Sequence, residues 1–378
     1  MSHAHAPPAR ILFAFLLLPV FTVVLFAEDA PSGLLSFEKT DSCGNDATFQ
    51  AALGDLDGDG DLDVVFANMK GRSELWLNDG SGDFSREAVN IGGEAHGVGI
   101  GDWDGDGDQD LVLTPASRSE ASRIYFNDGS GALVAAETSL DDASADANSV
   151  AVFDVEGDGD LDLGVYYCDG QRHSRLYVND GSGQFRAEDL RLPGLVSWGD
   201  IDGDGDIDAV GLQHQQNGSG FKVFENTGTL EFVESQHLQA RGDFFPGSSA
   251  LGDMDGDGDL DLVASGGPSR LTVLLNDGAG NFSISGTVTR SLGIGRLTLG
   301  DFDGDGVVDV LLGYFQHPRQ IALGDREGGF SDTGLLLGPS VMPGMCAVGD
   351  LDGDGNLDLF LADYGGGPNE VWLNTMGE

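Results

Sequence analysis

The chain has 378 residues, of which 40% are apolar and 60 are glycine, enough apolar surface for a folded core with glycine assigned to turns. Its formal net charge is −46, with 18 Lys and Arg against 64 Asp and Glu. Such a chain has no clustered cations with which to embrace a phosphate backbone, so nucleic-acid binding is excluded.

The N-terminal stretch, residues 1–27, reads as an export signal. Arg10 is the positive n-region, Ile11 to Phe26 the apolar h-region, and the small residues Ala27 and Ala30 follow. Sixteen apolar residues interrupted by Pro19 are short for a membrane span. Leu25 stands where a small residue suits cleavage, which leaves a retained signal anchor open as the alternative. In both versions residues 33–378 lie outside the cytoplasm, secreted, periplasmic or at the cell surface, with no membrane span in the mature chain.

After a strand signal at Gly33-Leu-Leu-Ser-Phe37 comes Asp55-Leu-Asp-Gly-Asp-Gly-Asp-Leu-Asp63, with carboxylates at loop positions 1, 3, 5 and 9 and glycines at 4 and 6. Two carboxylates about 4 Å apart repel by roughly 1 kcal/mol in water and by several times more in a partly buried site. A compact turn holding four of them wants a cation. Oxygen-only donors select a hard ion, and a flexible glycine-rich loop suits Ca²⁺ better than octahedral Mg²⁺. The expected ligands are the side chains at 1, 3, 5 and 9 and the carbonyl at 7.

The motif occurs seven times. The candidate metal residues are Asp55, Asp57, Asp59, Asp61 and Asp63 in the first loop and Asp102, Asp104, Asp106, Asp108 and Asp110 in the second. The third has Asp154, Glu156, Asp158, Asp160 and Asp162; the fourth has Asp200, Asp202, Asp204, Asp206 and Asp208. The fifth has Asp253, Asp255, Asp257, Asp259 and Asp261. The sixth has Asp301, Asp303, Asp305, Val307 and Asp309, and the seventh Asp350, Asp352, Asp354, Asn356 and Asp358. Successive first aspartates are 47, 52, 46, 53, 48 and 49 residues apart. Seven copies in register favour metal binding, up to seven calcium ions, over merely solvated turns. Val307 and Asn356 replace an acid where only the carbonyl is needed, so loops 6 and 7 should still bind. Glu156 is longer than aspartate and makes loop 3 the weakest site.

An EF-hand would need a glutamate at position 12 and a helix on each side. Position 12 here is Phe66, Leu113, Val165, Gly211, Ala264, Leu312 and Leu361, none of which ligates. That reading fails.

Each repeat has one grammar. An apolar segment such as Ala51-Ala-Leu-Gly-Asp55 leads into the loop, and a second apolar run follows it. A third strand ends in Asn, as in Leu75-Trp-Leu-Asn78 and Ile124-Tyr-Phe-Asn127. An Asp-Gly-Ser-Gly type turn gives a strong hairpin signal, and a fourth strand is marked by Phe84, Phe185, Phe232, Phe282 and Phe330. Four meandering strands per repeat make a propeller blade, and a period near 49 residues fits such an array. The seventh repeat stops after Val371-Trp-Leu-Asn374, so the segment from Gly33 completes the last blade and closes the ring without an unpaired edge. The expected fold is an all-β, seven-bladed β-propeller of four-stranded antiparallel blades. The blades run over about 46–89, 94–138, 146–190, 193–236, 247–287, 293–334 and 343–378 plus 33–40.

The motif Asp-hydrophobic-Asp-Gly-Asp-Gly-x-x-Asp resembles the FG-GAP/VCBS-type repeat of integrin alpha-chain N-terminal propellers and their bacterial relatives, over all seven units. The resemblance implies calcium in the loops at the residues named above. The literal Phe-Gly and Gly-Ala-Pro signatures are largely absent, and all seven repeats carry the loop. That places the chain nearer the bacterial set and puts integrin-style partner binding in doubt.

Trp76, Tyr125, Tyr177, Phe224 and Trp372 share one slot in the third strand; packing between blades is preferred there over stacking on sugars. Trp103, Met254 and Phe302 at loop position 2 also read as packing. Cys43, Cys168 and Cys346 form no disulfide framework; Cys43 and Cys346 fall in neighbouring blades, where buried thiols are preferred over a bridge. Asn217-Gly-Ser and Asn281-Phe-Ser are glycosylation sequons. The face opposite the acidic loops collects Arg72, His96, Arg118, Arg172, His173, His214, Gln215, Arg241, His317, Arg319 and Tyr364, and loops on a rigid scaffold are where binding resides. Arg241-Gly-Asp243 is an easy chance tripeptide in so Gly- and Asp-rich a chain. No catalytic motif is found. The expected function is a monomeric calcium-binding module, with structural calcium and a protein or glycan ligand on the opposite face. The alternative is a calcium-dependent carbohydrate-active enzyme resembling polysaccharide lyases, and a third reading is a structural envelope component.

Overall fold

The computed structural model describes residues 35–377 apart from 118, 142–146, 169–172, 214–219, 240–245, 267–269 and 290–292. The export signal, Arg118, Arg172, the His214–Asn217 segment and Arg241-Gly-Asp243 lie outside the described residues. Among the described residues every regular element is a strand, and no helix is long and apolar enough to cross a membrane.

Seven four-stranded antiparallel sheets succeed one another as blades. Blade 1 consists of Ala47–Gly54, Asp63–Lys70, Glu74–Asn78 and Phe84–Arg86, paired in chain order. Blades 2 to 6 are built in the same way: their innermost strands are Ala95–Gly101, Ala147–Phe153, Leu195–Gly199, Pro246–Gly252 and Ile294–Gly300. Blade 7 takes three strands from the C-terminal end, Ala347–Gly349, Asp358–Leu361 and Asn369–Asn374, and its fourth, Phe37–Cys43, from the N-terminal side. The closing pair runs from Phe37↔Asn374 to Cys43↔Asn369. Lys39 Nζ donates to Glu370 Oε1 at 2.7 Å across it, and Ser36 O accepts from Thr375 N at 2.9 Å.

The first two strands of each blade meet in one register. The residue just before the loop pairs with the aspartate at position 9: Gly54↔Asp63, Gly101↔Asp110, Phe153↔Asp162 and so on to Gly349↔Asp358. Position 9 is therefore already strand, while positions 1–8 form the turn. Second strands such as Asp63–Lys70 and Asp309–Tyr314 bury both faces, which is why they read as continuous Val/Leu/Ile runs rather than alternating ones.

The core is divided among the seams. Seven apolar clusters each join two adjacent blades, including the cluster of blades 7 and 1 built on Phe66, Phe360 and Val371. The aromatic slot falls inside them as expected: Tyr125, Tyr177 and Phe224 are buried, and Trp76 and Trp372 are half-buried with their indole N–H on Glu74 and Glu370. Cys43, Cys168 and Cys346 are free thiols, so the bridge between Cys43 and Cys346 does not form.

Candidate metal centres and the opposite face

The acidic loops repeat one hydrogen-bond scheme. At position 1, Asp55 Oδ1 accepts from Gly58 N at 2.8 Å and Oδ2 from Gly60 N at 3.1 Å. Gly58 and Gly60 have φ of +77° and +99°, a backbone that side chains with a Cβ adopt at a cost. At position 5, Asp59 Oδ1 accepts from the position-7 N–H at 3.0 Å, and every other loop repeats this bond. At position 9, Asp63 Oδ2 accepts from Leu56 N and Oδ1 from Asn78 N, both at 2.9 Å. All seven position-9 aspartates hold such a pair of N–H groups and all are buried.

Burial acts first on these groups. It pushes Asp63, Asp110, Asp162, Asp261 and Asp358 up to about 7, Asp208 to about 6 and Asp309 to about 8. The two N–H donors pull the other way without cancelling it, and neighbouring loop carboxylates add to the rise. Burial, then the adjacent position-5 carboxylate, also raises the position-3 groups Asp57, Asp104, Asp255 and Asp303. Crowded, desolvated carboxylates of one sign are what a cation relieves.

The structure brings together positions 1, 3 and 9. In Asp55–Asp57–Asp63, Asp102–Asp104–Asp110, Asp200–Asp202–Asp208, Asp253–Asp255–Asp261 and Asp301–Asp303–Asp309, one oxygen from each residue lies within 4.8 Å of the others, and a sixth such group exists among the described residues. The donor set fits a hard divalent cation on a second count: Asp104 Oδ1 and Asp255 Oδ1 are buried with no hydrogen-bond partner among the described residues. Position 5 stands outside these five trios, and Glu156 of loop 3 is exposed. Position 7 leans away: a Cβ on Gly80 would lie 2.4 Å from Asp61 Oδ2, and Gly129, Gly181 and Gly278 face Asp108, Asp160 and Asp259 in the same manner. The glycine of the Asp-Gly-Ser-Gly hairpin thus makes room for the position-7 acid, a link that spacing alone does not reveal.

Each loop is also a joint between blades. Its position-2 side chain, Leu56, Trp103, Val155, Ile201, Met254, Phe302 or Leu351, is buried in the cluster shared with the next blade. The position-2 carbonyl accepts from the Asn that ends the next blade's third strand: Asn127 Nδ2 to Leu56 O at 2.7 Å, Asn179 to Trp103 at 2.9 Å, Asn276 to Ile201 at 2.6 Å, Asn374 to Phe302 and Asn78 to Leu351 at 2.8 Å. Two seams differ. Asn226 turns to Ile207 O of its own blade at 3.3 Å, and blade 6 has Gly324 in that slot.

The opposite face separates into surface and core. His317 is exposed, and Arg72 lies at the surface near Asn90. Arg319 and His173, expected on binding loops, are buried instead: Arg319 Nη2 donates to Ala362 O, and the imidazole of His173 stacks on Tyr167 at 5.4 Å. Tyr364 and His96 converge at the centre of the ring on two residues that spacing did not single out, Phe49 and Arg296. Phe49 lies 5.1 Å from His96 and 5.7 Å from Tyr364 between ring centroids, and Arg296 Cζ stands 5.1 Å from the Phe49 ring. Register shifts between Thr48 and Gln50 and between Ala95 and Gly97 put Phe49 and His96 at bulges, which re-aim a side chain. Nothing in their residue type announces this.

The FG-GAP-like repeat model matches residues 55–113, 102–165, 200–264, 253–312 and 301–361. No curated protein matches the chain. Among solved structures, two crystal structures of BBS1N in complex with ARL6DN, soaked with mercury and with lead, are similar with TM-scores of 0.60 and 0.62. They share 11% and 10% identity and cover 90% and 92% of this chain and 98% and 99% of theirs. The BP39L lectin from Burkholderia pseudomallei is similar with a TM-score of 0.58 at 14% identity, over 94% of this chain and 98% of that one. At these identities the likeness is one of fold. The repeat matches span well over half the chain and coincide with the loops and strands described above: the chain belongs to the FG-GAP-like repeat family.

Proposed function

We propose that this chain is a monomeric binding module of the extracytoplasmic space, with calcium in the acidic loops as a structural ion and a protein or glycan ligand on the opposite face. The observation that carries it is the placement of the carboxylate trios on the seams. An ion there neutralises Asp55, Asp57 and Asp63 while the same loop's Leu56 holds blade 2 through its side chain and its carbonyl. Binding to the folded state alone stabilises by mass action, so these ions serve the ring and leave the other face for recognition. Two structural neighbours, BBS1N in complex with ARL6DN and the BP39L lectin, agree with a recognition role. The N-terminal signal supports export, to a compartment where free calcium fills weak sites.

One observation favours the alternative, a calcium-dependent carbohydrate-active enzyme: Arg296, His96 and Tyr364 all border one aromatic ring, Phe49. Thermal unfolding of the chain in EDTA and in millimolar Ca²⁺, with bound metal counted, tests the ion. A glycan array probed with the calcium-loaded protein tests recognition, and release of reducing ends from bound polysaccharides would shift the reading to the enzyme. Unchanged melting with no bound metal would overturn the calcium role.

A further inference from the structure

We propose that the cluster of Phe49, His96, Arg296 and Tyr364 on the second face is a binding site for a carboxylate-bearing sugar, a single uronic acid residue, with Arg296 contacting the carboxylate and Phe49 and Tyr364 lying against the sugar ring. This deepens, and rests on, the reading of that face as a recognition surface.

The site is assembled from four blades. Phe49 is on the innermost strand of blade 1, His96 on that of blade 2 and Arg296 on that of blade 6, while Tyr364 follows the second strand of blade 7. Blades 1 and 6 are not neighbours, so a guanidinium 5.1 Å from the Phe49 ring must reach across the inside of the ring past blade 7. All four residues are half-buried. Phe315 packs on Gly295, the residue before Arg296, where an added Cβ would sit 2.9 Å from Phe315 Cζ, and it is 52% exposed. Tyr364 is held in place by its hydroxyl, 3.0 Å from Met69 Sδ.

The chemistry selects the ligand. Arginine stays charged and presents a planar fork matched to a carboxylate. Burial opposes the charge of Arg296, a cost that an incoming anion would offset. Aromatic faces beside the fork suit the apolar face of a sugar ring. The net charge of −46 sets the size of the anion: an extended polyanion would be repelled by the surface, so a single acidic residue, such as a chain end, is what the site accepts. An aliphatic peptide acid lacks the ring that Phe49 and Tyr364 offer to cover.

The test is calorimetric titration of the calcium-loaded full chain with galacturonic and glucuronic acids, with glucose and acetate as controls, and with Arg296→Gln and Phe49→Leu variants whose folding is checked by melting temperature. The proposal expects a uronate to bind, glucose and acetate to bind far more weakly, and Arg296→Gln to lose about tenfold or more in affinity. In wild-type protein, where no variant need fold, uronate should shift the His96 imidazole resonances above those of the other histidines. Equal binding of glucose or acetate overturns the assignment, as does an acidic peptide that binds more tightly than the uronates, or unmoved His96 resonances. If a glycan array finds ligands that Arg296→Gln binds as well as wild type, this site falls and the recognition reading stands. If neither array nor titration registers binding, both fall.

Discussion

A position-9 aspartate such as Asp309 is held by two backbone N–H groups, from Phe302 and Gly324, in a place where ionisation is opposed by burial. An unfolded aspartate titrates near 4, whereas these seven stand at about 6 to 8 when folded. At these seven positions the metal-free fold thus binds protons that the unfolded chain does not, and what they contribute to stability is full below about pH 4 and is lost as pH rises through the folded values. In EDTA the melting temperature should fall between pH 5 and pH 8. In millimolar Ca²⁺ the metal-dependent increment should grow over the same range, because ligation requires ionised carboxylates; an increment that shrinks with pH would count against these residues as ligands. Asp309→Asn removes the charge and one of the two oxygens that accept from Phe302 N and Gly324 N. It should lower the metal count by one ion per chain and lower the melting temperature in EDTA at pH 5, since the amide nitrogen cannot accept the second N–H. The carboxylate pattern was legible in the sequence because it is local and repeated. The N–H partners were not, since Asn78 pairs with Asp63 from fifteen residues away and through a strand end.

At the scale of the element, the loop and the next blade's third strand form one unit. Asn127→Ala removes a donor from a buried carbonyl and should cost about 1–3 kcal/mol in denaturant unfolding. Asn226→Ala, whose amide only meets its own blade at 3.3 Å, should cost clearly less. Equal costs at the two positions would deny the joint its importance. Gly80→Ala combines a φ of +77° with a clash against Asp61 and should cost about 1–2 kcal/mol or more. The strands and hairpins were readable from apolar runs and Asp-Gly turns. The coupling between hairpin glycine and position-7 acid was not, because it joins two conserved-looking letters through space rather than along the chain, as Gly129 and Asp108 illustrate.

For the whole molecule, ring closure depends on Phe37–Cys43 lying against Asn369–Asn374. Deleting residues up to Cys43 should expose that edge, lower the melting temperature and produce association in light scattering, since an unpaired edge is a template for another strand. A monomer of unchanged stability would contradict the closure. The count of blades and the offset of the termini followed from seven loops and one missing fourth strand. The cluster around Phe49 did not, because Phe49, His96 and Arg296 lie on three separate strands, and the bulges at Phe49 and His96 leave no mark in composition.

The absence of the asparagine bond at two seams makes the ring uneven. Blades 6, 7, 1, 2 and 3 are tied in an unbroken arc, and blades 4 and 5 are tied to each other, while the seams between 3 and 4 and between 5 and 6 rely on apolar contact such as Phe153 against Trp198. These seams are fracture lines. Under mechanical load, or in slow amide exchange with the metals stripped, the molecule should come apart there first, releasing blades 4 and 5 as a pair from a five-bladed crescent.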